Sequence, residues 1–137
     1  MGSVMNCICN NCDNSKSYTI GIGMSDYSLE AFFLNRANKR DYNRIIKMIN
    51  NLEKNKEEYR VYYSSEHHLC NCCGHVEVKP YVLIKTKYWN YEYTHNCKKC
   101  KHELKMIDME TEIKLGNIKC SECKSNDLSL HLEMNWD

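Results

Sequence analysis

Four Cys-x-x-Cys motifs constrain the fold of this chain more than any other feature of its sequence. We call them knuckles 1 to 4, and in chain order they are Cys9/Cys12, Cys70/Cys73, Cys97/Cys100 and Cys120/Cys123. A Cys-x-x-Cys motif in a tight turn places two sulfur atoms on one side of the backbone. Two such turns supply the four thiolates of a tetrahedral zinc site. Because strand-like segments flank the knuckles, the sequence predicts two four-thiolate metal centres.

The high cysteine content favours metal over disulfides. The chain has 10 cysteines in 137 residues. Residues 1–11 lack the basic and apolar regions of a secretory signal, and no apolar run approaches the roughly 20 residues of a membrane span. In a reducing cytosol, closely spaced cysteines bind metal more often than they form disulfides. We therefore expect a cytoplasmic protein with two Zn²⁺ ions. Iron is the alternative, because Cys70-Asn71-Cys72-Cys73-Gly74 resembles a rubredoxin knuckle.

The spacing of the knuckles is compatible with two pairings. In the sequential pairing, knuckle 1 joins knuckle 2, and knuckle 3 joins knuckle 4 across 19 residues with a turn signal at Gly116-Asn117. In the nested pairing, knuckle 2 joins knuckle 3 across 23 residues, and knuckles 1 and 4 join each other. The nested pairing requires the two ends of the chain to meet. We expect the sequential pairing.

Hydrophobic periodicity predicts strands around the knuckles and two helices between knuckles 1 and 2. The predicted strands lie near 17–24, 59–63, 75–96 (two strands with a turn near Trp89-Asn90), 102–108 and 128–137, with a return segment within 110–119. A first helix begins at Ser25 or Asp26, and Asn38 and Lys39 break it from the next. The second helix begins at Asp41 and ends between 54 and 56. Its stripe Ile45, Met48, Ile49 and Leu52 predicts packing in the core, with a groove for a partner helix as the alternative.

The knuckles and their strands resemble the zinc-ribbon class of proteins. The sequences CNNC, CNCCG, CKKC and CSEC carry this resemblance, and with IGIGM and the final MNWD the layout is similar to small bacterial zinc-ribbon proteins of unassigned function. We expect a mainly β, α+β fold of two tandem zinc ribbons. The first would span 5–84, with a two-helix insertion at about 25–57, and the second would span 85–137. The resemblance implies a scaffold and no particular activity.

The sequence predicts binding and not catalysis. A metal ion held by four thiolates has no open position for water or substrate. No phosphate-binding loop, H-E-x-x-H motif or nucleophile elbow is present. We therefore expect a structural or adaptor protein that presents a rigid ribbon surface to a macromolecular partner, without a small-molecule substrate.

Two other functions remain open at this point. A nucleic-acid-binding regulator would use cations and aromatic rings of the Lys85–Lys105 stretch, although the net charge of +1 is small for such a role. Its candidate residues are Lys85, Lys87, Trp89, Lys98, Lys99 and Lys101. A redox or metal-responsive protein would use Cys7 or Cys72, which lie outside the motif positions and are otherwise spare thiols. One of His67, His68 and His75 is an alternative metal ligand that could take the place of a knuckle cysteine.

Overall fold

The computed structural model describes residues 2–36 and 39–136 and shows a mainly β, α+β protein with an antiparallel sheet. The strands are β1 (Gly2–Cys9), β2 (Ser15–Gly21), β3 (Tyr59–Leu69), β4 (Val76–Thr86), β5 (Asn90–Glu92), β6 (His95–Asn96), β7 (Glu103–Met106) and β8 (Leu128–Trp136). The helices are α1 (Leu29–Leu34), α2 (Lys39–Lys54) and α3 (Met109–Lys114), with a 3-10 turn at Met24–Asp26. The fold class predicted from the sequence is confirmed.

Strand order explains how distant parts of the chain meet. The sheet runs β5-β4-β3-β2-β1-β8, while β7 pairs with β3 and with β6. The β3–β4 hairpin pairs all 11 residues of each strand, from Tyr59 with Thr86 to Leu69 with Val76. In β1–β8, Cys9 pairs with Leu128 and Gly2 with Trp136. Knuckle 1 is therefore brought beside knuckle 4, and the hairpin end carries knuckle 2.

The predicted domain organisation is only partly tested by this topology. The tandem arrangement of ribbons depended on the sequential pairing of knuckles and is not confirmed. The division into 5–84 and 85–137 stays a prediction, and its boundary lies inside β4. Within the proposed insertion of about 25–57, two α-helices are present as expected. Of the predicted helix break, Asn38 lies outside the described residues, and Lys39 is the first residue of α2.

The main core lies between these two helices and the β3–β4 hairpin. Its buried members are Phe32, Phe33, Ile45, Ile49, Leu52, Val82, Ile84 and Tyr93. Met48 packs against this cluster from its edge. The helical stripe is therefore part of the core, as predicted. Among the described helices, none combines the length and the apolar character needed to cross a membrane.

A buried ion pair attaches α1 to the segment before it. The Arg36 guanidinium lies 2.8 Å from the Asp26 carboxylate and 3.9 Å from the centre of the Phe32 ring. Burial raises the pKa of Asp26, but hydrogen bonds from Arg36 and from the Gly23 amide outweigh it and lower the pKa overall. Removing either partner would leave an unpaired charge in a largely buried position.

The return segment predicted within 110–119 is wrong, because residues 109–114 form the helix α3. Asp108 precedes the helix in an extended conformation, and its carboxylate accepts a 2.5 Å hydrogen bond from Thr111. Met109 and Ile113, four residues apart, face the second core cluster. Gly116, with φ of 74°, follows the helix and ends it. The glycine that suggested a hairpin turn is therefore a helix terminator.

Replacing Ile45 should show how strongly the helices depend on the main core. Ile45 is fully buried, so Ile45→Ala should lower the free energy of unfolding by about 2–5 kcal/mol. Leu34→Ala is the matched control, because Leu34 is 67% exposed on α1 and should change stability by less than about 0.5 kcal/mol. Urea unfolding of the metal-loaded protein measures both. Equal effects would contradict this position of the core.

Candidate metal centres

All four knuckles share one backbone conformation. In each, the N–H of the first cysteine donates to the carbonyl five residues later, and the N–H four residues later donates back to that cysteine's carbonyl. These eight hydrogen bonds measure 2.7–3.0 Å. The residue directly after the second cysteine of each knuckle has a positive φ. These residues are Asp13 (63°), Gly74 (76°), Lys101 (67°) and Lys124 (63°). Gly74 suits this left-handed conformation because it has no Cβ atom, and three non-glycine residues adopt it as well.

Amide groups of these turns stabilise thiolates. Cys70 accepts hydrogen bonds from the backbone amides of Cys73 and Cys72, and chiefly the Cys73 bond lowers its pKa to about 6. In knuckle 4, the amides of Cys123 and Glu122 likewise lower the pKa of Cys120 to about 6. Hydrogen bonds to the charged form favour the thiolate, which is the form that binds metal.

The outer centre joins knuckles 1 and 4. The Sγ atoms of Cys9 and Cys123 lie 3.5 Å apart, and those of Cys12 and Cys120 lie 3.6 Å apart. Within this set, all four sulfur atoms are within 4.8 Å of one another. The β1–β8 strand pair holds the two turns at this distance.

The asparagines of knuckle 1 strengthen this junction. The Asn10 amide N–H donates to the Asp127 carbonyl, and its side chain donates to the carboxylate of Asp127. The Asn11 side chain donates to Cys123 Sγ at 3.5 Å, and Asn14 donates to Cys120 Sγ at 3.8 Å. The residues around the knuckle 1 cysteines therefore contact both knuckle 4 and Asp127, four residues after it.

The inner centre joins knuckles 2 and 3 in the same arrangement. Cys70 Sγ lies 3.3 Å from Cys100 Sγ, and Cys73 Sγ lies 3.7 Å from Cys97 Sγ. Pairing of β7 with β3 and with β6 positions these turns. In both centres, the first cysteine of one knuckle contacts the last cysteine of the other. The sequential pairing predicted from the sequence is wrong, and the nested pairing is correct.

The donor sets fit a four-thiolate metal ion. Zn–S bonds of about 2.3 Å in a tetrahedron place sulfur atoms about 3.8 Å apart. The closest contacts of 3.3–3.7 Å approach this value and are far longer than a disulfide bond of about 2.05 Å. The eight knuckle cysteines can thus hold two ions, and both sites are compatible with Zn²⁺.

Other candidate ligands lie outside these two sets. Cys7 is buried in the second core cluster, and burial raises the pKa of its thiol. His67 and His68 are buried in β3, where burial lowers the pKa of His67 to about 4 and keeps its ring neutral. None of His67, His68 and His75 belongs to a potential ligand group among the described residues. Cys72 is exposed and lies with Cys100 and His102 in a third potential ligand group.

The six nucleic-acid candidates do not form one strand face. Lys85, Lys87 and Trp89 lie at the end of β4 that is remote from the knuckles. Lys98 and Lys99 lie within knuckle 3, and Lys101 directly follows it. Knuckle 3 is beside the opposite end of the β3–β4 hairpin. The 11 residues of β4 separate its ends by roughly 33 Å. Nucleic-acid binding stays a prediction, but it requires a different surface from the one proposed.

A cleft between the two centres was not foreseen from the sequence. Its volume is about 470 Å³, and both metal centres contribute to its lining through Cys9, Cys73 and Cys120. Its charged lining residues are Lys16, Lys99, Lys119 and Lys124. A divalent ion with four thiolates carries a net charge of −2, so two such centres carry −4. With both ions bound, the four lysines would offset this negative charge.

No family model matches the chain, and comparison with curated proteins and with solved structures likewise gives no significant match. The two clusters of four cysteines are consistent with zinc-ribbon-like sites. The geometry thus defines a mainly β protein with two candidate four-thiolate metal centres.

Metal stoichiometry of double variants distinguishes the two pairings. Cys12→Ser with Cys123→Ser damages the outer centre alone, so native mass spectrometry should find one ion. Cys12→Ser with Cys73→Ser damages both centres and should leave none. The sequential pairing gives the opposite result for each variant.

Removal of the metal should unfold the protein. Structural zinc contributes about 10–16 kcal/mol in small peptides, whereas the net stability of a domain is about 5–15 kcal/mol. A strong chelator should therefore abolish the far-ultraviolet circular dichroism of the native fold, and added Zn²⁺ should restore it. An unchanged spectrum after verified metal removal would contradict a structural role.

Proposed function

We propose that this protein is a zinc-stabilised, non-catalytic adaptor that presents a rigid surface to a protein partner. The supporting observation is that all eight knuckle cysteines converge into two closed sets of four. Four thiolates saturate a tetrahedral ion and leave no position for a substrate. Reduced thiolates favour a cytoplasmic location, which belongs to the same proposal.

The surface best suited to a partner is the turn between β4 and β5. Tyr88 is 82% exposed and Trp89 is 43% exposed. The Thr86 hydroxyl donates to the Trp89 carbonyl at 2.6 Å and accepts a 3.0 Å hydrogen bond from the Trp89 amide. The aromatic side chains are thus carried by a well-bonded turn. Tryptophan and tyrosine are enriched among the residues that dominate protein–protein binding energy.

The charges beside this turn favour a protein partner over a polyanion. An adjoining recess is lined by residues of both signs, namely Glu57, Glu58, Arg60, Lys85 and Lys87. Carboxylates at this position would repel phosphate groups. A protein surface with interspersed charges complements such a recess.

Nucleic-acid binding is the second candidate function, and the cleft lysines are the observation that favours it. Lys16, Lys99, Lys119 and Lys124 line the cleft, and none of the described residues in its lining carries a carboxylate. Their charge is offset by the metal centres, which leaves little net attraction for a phosphate backbone. We therefore rank this function below the adaptor role.

The adaptor proposal predicts that Trp89 dominates partner binding. In quantitative cross-linking from cells of the source organism, Trp89→Ala should lose a partner that the parent protein retains. Tyr27→Ala is the matched control, because Tyr27 is 84% exposed at the 3-10 turn and should retain the partner. Both variants should bind two zinc ions.

The same set of variants separates the two candidate functions. If Trp89→Ala cross-links to the same proteins as the parent protein, the proposed adaptor surface is contradicted. Salt-dependent binding of single-stranded oligonucleotides that Lys99→Glu abolishes and Trp89→Ala leaves intact would favour the nucleic-acid function instead.

A further inference from the structure

We propose that the inner centre carries an accessory zinc site formed by Cys72, Cys100 and His102. The inference rests on the proposed function, because Cys100 is also a ligand of the inner zinc ion. The Sγ atoms of Cys72 and Cys100 and a ring nitrogen of His102 all lie within 4.8 Å of one another. The His102 Nδ1 atom lies 3.4 Å from Cys100 Sγ.

The knuckle conformation fixes two of these ligands in place. Cys72 lies within knuckle 2, directly before the ligand Cys73. His102 is the fifth residue after Cys97, and its carbonyl accepts the 2.7 Å hydrogen bond that closes knuckle 3. Both residues are exposed, and Cys100 is partly exposed, so an ion can reach all three from solvent. Cys70 and Cys97, in contrast, are fully buried.

A zinc-bound thiolate of the inner centre can still bind a second cation. One Zn²⁺ with four thiolates carries −2, and a zinc-bound thiolate retains lone pairs that can bridge to another metal ion. Zinc binding at the accessory site would release the proton of Cys72 and use His102 as a neutral imidazole. No electron is transferred, and the Cys100–zinc bond of the inner centre is retained.

An accessory ion would have three protein ligands and one open position. Protein-bound zinc with an open fourth position exchanges that ligand, unlike a closed four-thiolate site. The accessory site would therefore accept zinc from solvent or from a small-molecule carrier beside the buried inner centre. Its role would be the acquisition and exchange of zinc at the inner centre.

The outer centre provides an internal comparison. Asn11 occupies the position in knuckle 1 that Cys72 occupies in knuckle 2, and Ser125 occupies the position in knuckle 4 that His102 occupies in knuckle 3. Asn11 donates a hydrogen bond to Cys123 Sγ, the counterpart of Cys100. The same backbone geometry thus carries an amide donor in one centre and metal-ligand side chains in the other.

Native mass spectrometry of the full chain under reducing conditions tests this inference. With stoichiometric zinc, the parent protein should bind two ions, and with excess zinc it should bind a third. Cys72→Ser and His102→Ala should each keep two ions and lose the third. Cys7→Ser is the control, because Cys7 is buried in the second core cluster and belongs to none of the potential ligand groups, so this variant should still bind three. Transfer of the inner ion to a competing chelator should be slower in the two site variants.

Each other outcome contradicts a defined part of the argument. Two ions in the parent protein at every zinc concentration would overturn the accessory site and leave the proposed function intact. Fewer than two ions would overturn the proposed function itself. A third ion retained by both site variants would show binding elsewhere and overturn the assignment. A Cys72–Cys100 disulfide under mild peroxide, without any third ion, would assign these residues to redox chemistry instead.

Discussion

The packing of sulfur atoms from two distant knuckles is the interaction on which both metal centres depend. Sulfur atoms of the outer centre approach to 3.5 Å, and deprotonated thiolates at that distance repel one another unless a cation lies between them. The β1–β8 strand pair leads directly into this centre. The apolar interior is divided into three clusters: a larger one around α1 and α2, a smaller one that includes Cys7 and Met109, and a third formed by Cys70, Cys97 and Leu104 at the inner centre. A bound ion at each centre would hold together elements that this divided interior secures only in part.

Local features of this fold could be predicted from the sequence, and long-range pairing could not. The spacing of Ile45 and Ile49 indicates α2, and the alternation from Tyr59 indicates β3, because each pattern lies within one element. Knuckle pairing depends on which strands are neighbours across more than 100 residues. Strand β1 was missed because its last residues were assigned to knuckle 1. Without β1, the sequence offers no partner strand for β8, and the shorter connection favours joining knuckle 3 to knuckle 4.

The two centres show how one backbone arrangement supports different chemistry. Both place the first cysteine of one knuckle against the last cysteine of the other, at 3.5 Å in the outer centre and 3.3 Å in the inner centre. The outer centre has asparagine side chains whose N–H groups donate to its sulfur atoms and stabilise negative charge there. The inner centre has Cys72 and His102 at the matching positions. Knuckle conformation is therefore determined by the backbone, whereas the side chains beside the ligands differ between the two centres.

The nested pairing also has a consequence for the order in which the protein matures during translation. Facing cysteines are 24 residues apart in the inner centre and 108 apart in the outer centre. Closing the longer loop costs about 1 kcal/mol more in chain entropy. A ribosome releases knuckle 3 well before knuckle 4, so the inner centre can acquire its ion on a nascent chain. The outer centre has to wait for Cys123 and for the strand after it. Until then β1 has no β8 to pair with, and the nascent chain exposes an unprotected strand edge.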